Sequence, residues 1–127
     1  MITLDRVSKS YDKGHPALDN ISLHIDKGEF VFVVGASGSG KSTFIKLLLK
    51  ELDPTKGTIT VNGSVLNKLP RRKVPKYRRG LGVVFQDFRL LKDRNVFENV
   101  AFAQRVIEKP THVLKKNVPE VLTLVGL

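Results

Sequence analysis

The sequence predicts an α/β fold built around a phosphate-binding loop, and three observations carry that reading. An octapeptide, Gly35-Ala36-Ser37-Gly38-Ser39-Gly40-Lys41-Ser42, fits the pattern G-x-x-x-x-G-K-[ST]. The apolar run Phe30-Val31-Phe32-Val33-Val34 leads straight into it, and a helical apolar period follows it. Upstream, residues 2–25 hold two segments separated by turn-forming residues, which predicts an antiparallel β region ahead of the α/β core.

Taken in order, Ile2 to Tyr11 reads as a strand, mixing apolar and polar residues with β-branched members. Ala17 to Ile25 reads as its antiparallel partner, because Ile21, Leu23 and Ile25 alternate onto one face. Asp12-Lys13-Gly14-His15-Pro16 supplies the turn between them. Phe30 to Val34 reads as a short strand buried on both faces of a parallel sheet. From Lys41, the residues Phe44, Ile45, Leu47, Leu48 and Leu49 give a helix running to about Leu52, ended by Pro54 and Gly57. Thr58 to Val61 is a further strand entering an Asn62-Gly63 turn, so the antiparallel elements cover about 2–25 and 58–62. Leu81 to Phe85 is again short and apolar and is expected to be a strand. Val96 to Ile107 predicts an amphipathic helix with Phe97, Val100, Ala101 and Val106 inward. A last helix runs from about His112 to Val125, with Gly126 as its C-cap and Pro119 expected to kink it or mark a later start.

Composition narrows the function classes. A chain of 127 residues with 41% hydrophobic content has the length of one domain and folds rather than staying disordered. Its longest apolar run is far too short to cross a membrane, and Asp5 and Arg6 interrupt any leader-like stretch. No cysteine is present, which excludes disulfides and Cys-ligated metal. The net charge of +10 is concentrated. Between Asp53 and Asp87 no acidic residue occurs, while Lys56, Lys68, Arg71, Arg72, Lys73, Lys76, Arg78 and Arg79 do. Such a cluster attracts nucleic acid or anionic lipid. Only Tyr77 is available there to stack on bases, so no specific nucleic acid is expected, and the segment 68–79 reads as a solvated surface loop broken by Pro70 and Pro75.

The loop itself has a direct chemical meaning. Glycines let the backbone curl so that its N–H groups converge on an anion, and the helix that follows aims its positive dipole end at the same place. Lys41 would bridge the β- and γ-phosphates of a nucleoside triphosphate, and the Ser42 hydroxyl would ligate Mg²⁺. Gly35, Ser37, Gly38, Ser39, Gly40, Lys41, Ser42 and Thr43 are therefore the candidate nucleotide-binding residues. Guanine specificity is disfavoured, because Asn67-Lys68-Leu69-Pro70 lacks the Asp of an Asn-Lys-x-Asp element.

Three further stretches combine with the loop into a family pattern: Tyr11 upstream, Thr55-Lys56-Gly57 before a strand, and Val83-Val84-Phe85-Gln86-Asp87-Phe88-Arg89-Leu90-Leu91 downstream. In this order they resemble the nucleotide-binding subunits of ABC transporters. Residues 85–91 with Val96-Phe97-Glu98-Asn99-Val100-Ala101-Phe102-Ala103 resemble the FtsE branch of that family, which acts in bacterial cell division. The resemblance implies the ABC-type P-loop NTPase core, with strand, loop and helix over 30–52, a Q-loop over 85–91 and the start of a helical region over 96–127. It implies ATP and Mg²⁺ as cofactors, Tyr11 stacking on adenine, and Gln86 reaching Mg²⁺ and the attacking water. Ser42 and Gln86 are thus the implied metal ligands. It also implies an FtsX-like transmembrane partner, a homodimer formed by the longer chain on ATP, and a cytoplasmic location on the inner face of the cell membrane.

The chain departs from the family in what it lacks: no Leu-Ser-Gly-Gly signature, no apolar strand ending in Asp-Glu, and no histidine at the switch position. The fold expected is therefore the front portion of an ABC ATPase, truncated before the signature and Walker B strand. It keeps the phosphate cradle, to which Lys41 and Gln86 contribute, without a complete catalytic set. Apolar sheet surface left uncovered predicts marginal stability. Two alternatives stand beside this reading. One is an autonomous small P-loop kinase or transferase with residues 68–80 as its lid, and the other a non-catalytic basic module binding anionic lipid or nucleic acid.

Overall fold

The computed structural model describes residues 1–12 and 14–127; Lys13, within the expected 12–16 turn, lies outside the described residues. Two units result, residues 1–82 and 83–127. The first is organised by a four-stranded antiparallel sheet in the order β2-β1-β3-β4. Its strands are β1 (Ile2–Lys9), β2 (Leu18–Ile25), β3 (Lys56–Val61) and β4 (Ser64–Val65). The amide of Ala17 donates to the Lys9 carbonyl (2.8 Å), joining the end of β1 to the residue before β2. Asn62 and Gly63, both at positive φ, make the tight turn between β3 and β4.

Irregularity in β1 decides the core. Leu4 and Val7 are both buried although they are three residues apart, which a period of two forbids. The ladder slips between Leu4 and Val7 against β2, and between Asp5 and Ser8 against β3. A bulge at this point, with Arg6 in the left-handed region, returns Val7 to the inner face. Leu4 and Val7 then pack with Ile59, Val61 and Leu66 against Phe44 and Leu47 of helix α1 (Lys41–Leu48), while Leu18, Ile21 and Leu23 of β2 cover the margin.

Helix α1 ends earlier than the expected Leu52, and neither Pro54 nor Gly57 stops it. Lys50 takes a left-handed conformation, its amide donates to Leu47 O (3.0 Å) and that of Glu51 to Lys46 O (2.9 Å), which is a Schellman ending with lysine at the usual glycine position. The carbonyls still unpaired are met from the basic segment. The Tyr77 hydroxyl donates to Leu48 O, and the Arg78 guanidinium to Leu49 O (2.8 Å) and Lys50 O (3.1 Å). Residues 68–79 are thus not simply a solvated loop. They form 3₁₀ turns at Leu66–Lys68 and Arg71–Lys73 and a short helix α2 (Val74–Arg78). Pro75 sits in the first turn of α2, where its missing N–H costs nothing, so it starts the helix rather than breaking it. Partial burial pushes the Tyr77 phenol pKa above its ordinary value. Asn67, weighed above for guanine recognition, is structural: its side chain accepts from Ile59 N (2.9 Å) and donates to Gly57 O (3.0 Å), extending the ladder along β3.

Two expected strands are not strands. Residues 30–34 and 81–85 have no ladder partner among the described residues. Phe30, Phe32, Val34 and Val84 are 81%, 79%, 87% and 99% exposed. An apolar run becomes a buried parallel strand only when neighbours flank it on both edges, and here none do.

The second unit pairs helix α3 (Val96–Val106) with helix α4 (Thr111–Leu124). Ala101, Leu114 and Val118 form its core, lined by Phe97, Val100 and Leu122. Val106, expected inward, is exposed, because its angular position carries it off the narrow stripe facing α4. The Asn95 side chain caps α3 by accepting from Glu98 N (2.8 Å). Seven residues along α3, Arg105 pairs with Glu98 and holds its carboxyl below the ordinary pKa. Helix α4 continues through Pro119, so the later start is not taken. At its end the amides of Gly126 and Leu127 donate to Thr123 O (3.1 Å) and Leu122 O (3.0 Å), the capping role expected of Gly126.

Candidate functional site

The loop 35–40 enters α1 without a side-chain cap. Its last residue, Gly40, has φ 94°, and no side chain accepts from the first helical amides. The amides of Lys41, Ser42 and Thr43 have no intrahelical acceptor, so the helix begins with donors and a positive dipole end unclaimed by the chain. Glycine at position 40 answers a close approach as well as a conformation. A Cβ there would lie 2.3 Å from Ala17 O, where the residue preceding β2 passes the loop. The antiparallel region and the loop 35–40 are therefore in backbone contact.

Lys41 folds back over the loop it follows. Its ammonium donates to Gly35 O (2.5 Å), Ala36 O (2.6 Å) and Ser39 Oγ (3.3 Å). The loop is closed around its own cation. Ser37, Ser39 and Ser42 are exposed.

Tyr11 is drawn to the same end of α1. Its hydroxyl lies 3.0 Å from that of Thr43, and its ring is largely exposed with the Lys9 ammonium 5.7 Å from the centroid. Lys9 is itself fixed by donating to Asp53 O (2.8 Å). Motif reading placed Tyr11 and Thr43 in one site but gave no hint that they touch, or that Lys9 flanks the ring. No local period or turn pattern encodes a contact between residues 32 positions apart.

Gln86 belongs to the second unit, exposed in a turn closed by Phe88 N donating to Phe85 O (3.2 Å). Phe88 and Arg89 both have positive φ, and the Arg89 guanidinium lies 3.7 Å from the Phe85 ring centroid. Beyond this turn Asn99 ties the chain to α3. Its side chain accepts from Leu91 N (2.8 Å) and donates to Leu91 O (3.1 Å), Arg94 O (3.1 Å) and Asn95 O (3.0 Å). Asn99→Ala should free the 91–95 segment, raising hydrogen exchange at the Leu91 amide by about tenfold, the equivalent of about 1.4 kcal/mol for the lost bonds. Unchanged protection at Leu91 would contradict this.

No helix is long and apolar enough to cross a membrane, and no cluster of three His, Asp or Glu side chains forms a metal site among the described residues.

With this geometry in hand, a family model described as ABC transporter matches residues 18–127. The chain belongs to the ABC transporter family. Among curated relatives, it is 56% identical over 128 residues to the cell division ATP-binding protein FtsE of Mycobacterium tuberculosis, covering all of this chain and 56% of that protein. It is 53% identical over 127 residues to the FtsE of Bacillus subtilis, again covering 56% of the relative. Among solved structures, the ATP-binding cassette MJ0796, in a dimeric post-hydrolysis state bound to ADP and Pi, superposes with TM-score 0.88 at 33% identity, over all of this chain and 58% of that one. The ABC chain thus spans little more than half the length of these relatives. Its fold is that of part of the ABC cassette, and its similarity to the FtsE proteins agrees with the resemblance carried by residues 85–91 and 96–103.

Proposed function

We propose that this chain is the ATP-binding portion of an FtsE-type ABC subunit, and that the longer protein couples ATP binding and hydrolysis to an FtsX-like transmembrane partner in cell division. The observation that carries the reading is the uncapped start of α1 with Lys41 poised over the loop. Gly35, Ser37, Gly38, Ser39, Gly40, Lys41, Ser42 and Thr43 would cradle the phosphates, and Tyr11 would present its ring to adenine. Mg²⁺ suits the residues present, since it is commonly held by one or two protein oxygens together with substrate phosphates. The exposed Ser42 hydroxyl is one such oxygen, and Gln86 is the second candidate. The ion would neutralise phosphate charge. Homodimerisation on ATP and a peripheral position at the cytoplasmic face of the membrane follow from the same reading, supported by the dimeric MJ0796 cassette and the FtsE relatives.

The kinase alternative requires residues 68–80 to close over the phosphates. Tyr77 and Arg78 instead bond the carbonyls that end α1, one helix length from the loop. Arg71, Arg72, Lys73, Lys76 and Arg79 remain exposed without an ion pair among the described residues, so a contact with anionic lipid stays compatible with the ABC reading.

Thermal unfolding with and without Mg-ATP tests the proposal. A ligand at ten times its Kd adds about 1.4 kcal/mol to stability, a shift of several degrees for a chain of this size. An unchanged midpoint at millimolar Mg-ATP would refute nucleotide binding by this chain.

A further inference from the structure

Thr43 is buried in the first turn of α1, yet its hydroxyl is 3.0 Å from the hydroxyl of an exposed tyrosine. The segment bearing that tyrosine is held by the stretch between α1 and β3. Ser10 N donates to Thr55 Oγ1 (3.1 Å), Thr55 N donates to Ser8 O (2.8 Å), and Lys9 reaches Asp53 O (2.8 Å). The backbone at 8–10 is therefore strapped immediately ahead of Tyr11, whose side chain reaches Thr43. A threonine hydroxyl has one hydrogen and two acceptor lone pairs, and a phenol has one hydrogen. Without an anion either oxygen can be the donor of the shared bond. An anion against the first turn of α1 accepts hydrogen bonds and offers none, so one that contacts the Thr43 hydroxyl would take its hydrogen. Tyr11 must then donate to Thr43.

We propose that Thr43 is a positioning residue for Tyr11, its hydroxyl linking the phosphate end of α1 to the base-facing ring, so that a bound triphosphate fixes the ring before the base engages it. This rests on the ATP-binding reading above and adds that its phosphate and base subsites are coupled through one hydroxyl pair. Positive cooperativity follows: ordering of Tyr11 by the phosphates is no longer charged against binding of the base.

The chain has no tryptophan and two tyrosines, so the near-ultraviolet tyrosine band reports the coupling directly. The probe is inorganic tripolyphosphate with Mg²⁺, which has no base to stack. Tripolyphosphate should perturb the band of the wild-type chain. The perturbation should vanish in Tyr11→Phe and Thr43→Val and persist in Thr43→Ser, which keeps the hydroxyl. In calorimetry Tyr11→Phe and Thr43→Val should each weaken ATP by about fivefold or more, and the double variant should lose less than the product of the two. Tripolyphosphate that binds the wild type with measurable heat and leaves the tyrosine band unchanged overturns the coupling alone, whatever the variants do. So does a perturbation that survives in Thr43→Val. A wild-type chain that binds neither ATP nor tripolyphosphate overturns the nucleotide reading and the coupling with it.

Discussion

Lys41→Ala is expected to weaken Mg-ATP binding by about 10- to 150-fold while leaving the unliganded chain almost as stable as before. The first half follows from the strength of charged hydrogen bonds, about 1.5–3 kcal/mol each, which converts to that range of affinity. The second half follows from where the ammonium rests without ligand. Its partners are the carbonyls of Gly35 and Ala36 and the Ser39 hydroxyl, all on exposed residues that water can serve equally well. Losing such bonds costs about 1 kcal/mol or less. Lys41→Arg should not restore binding, since a planar fork cannot occupy the point-like position among those three oxygens. Titration calorimetry beside denaturant unfolding separates the two halves. An Mg-ATP affinity in Lys41→Ala equal to the wild type would remove the phosphate role of this lysine.

The largest loss of stability is expected from Gly57→Ala, far from any ligand. A Cβ at position 57 would lie 2.3 Å from Arg6 O, 2.5 Å from Arg6 C and 2.5 Å from Asp5 O. These are backbone atoms of the β1 bulge and cannot rotate away. Position 57 also has φ 82°, so strain and collision coincide. Relief requires opening the β1–β3 ladder at the point that turns Val7 into the core. We expect a loss of about 3 kcal/mol or more in denaturant unfolding. Gly63→Ala is the control: φ is 77° there, but nothing lies within 4 Å of the added carbon. Its cost should be about 1 kcal/mol, from backbone strain alone. Equal losses at the two positions would show that the bulge contact is not what demands glycine at 57.

The two substitutions mark the divide between what could be read from residues and what could not. The glycine-rich loop entering α1, the antiparallel start, the Asn62-Gly63 turn, both long helices and the Gly126 cap were legible in the sequence. Each depends on conformational preferences within a few neighbouring residues, such as glycine at positive φ or apolar side chains every third or fourth position. The apolar runs 30–34 and 81–85 misled for the complementary reason. Their composition records a wish to be buried, but a strand exists only where a ladder partner is in place, and that partner is not encoded in the run itself.

The amino-acid sequence by itself determined that a glycine-rich loop would lead into α1, the loop we propose to hold the phosphates, because Gly40, Lys41 and Ser42 act through their own backbone and side chains. Tertiary structure alone decided the rest of the site's architecture. It put Tyr11 on Thr43, Lys9 beside the ring, Ala17 against Gly40, and Tyr77 and Arg78 on the carbonyls that end α1. It also placed the bulge that buries both Leu4 and Val7. These are pairings between residues distant along the chain, whose free energy appears only when the sheet and helix have already brought them together. No pattern within one segment can announce them.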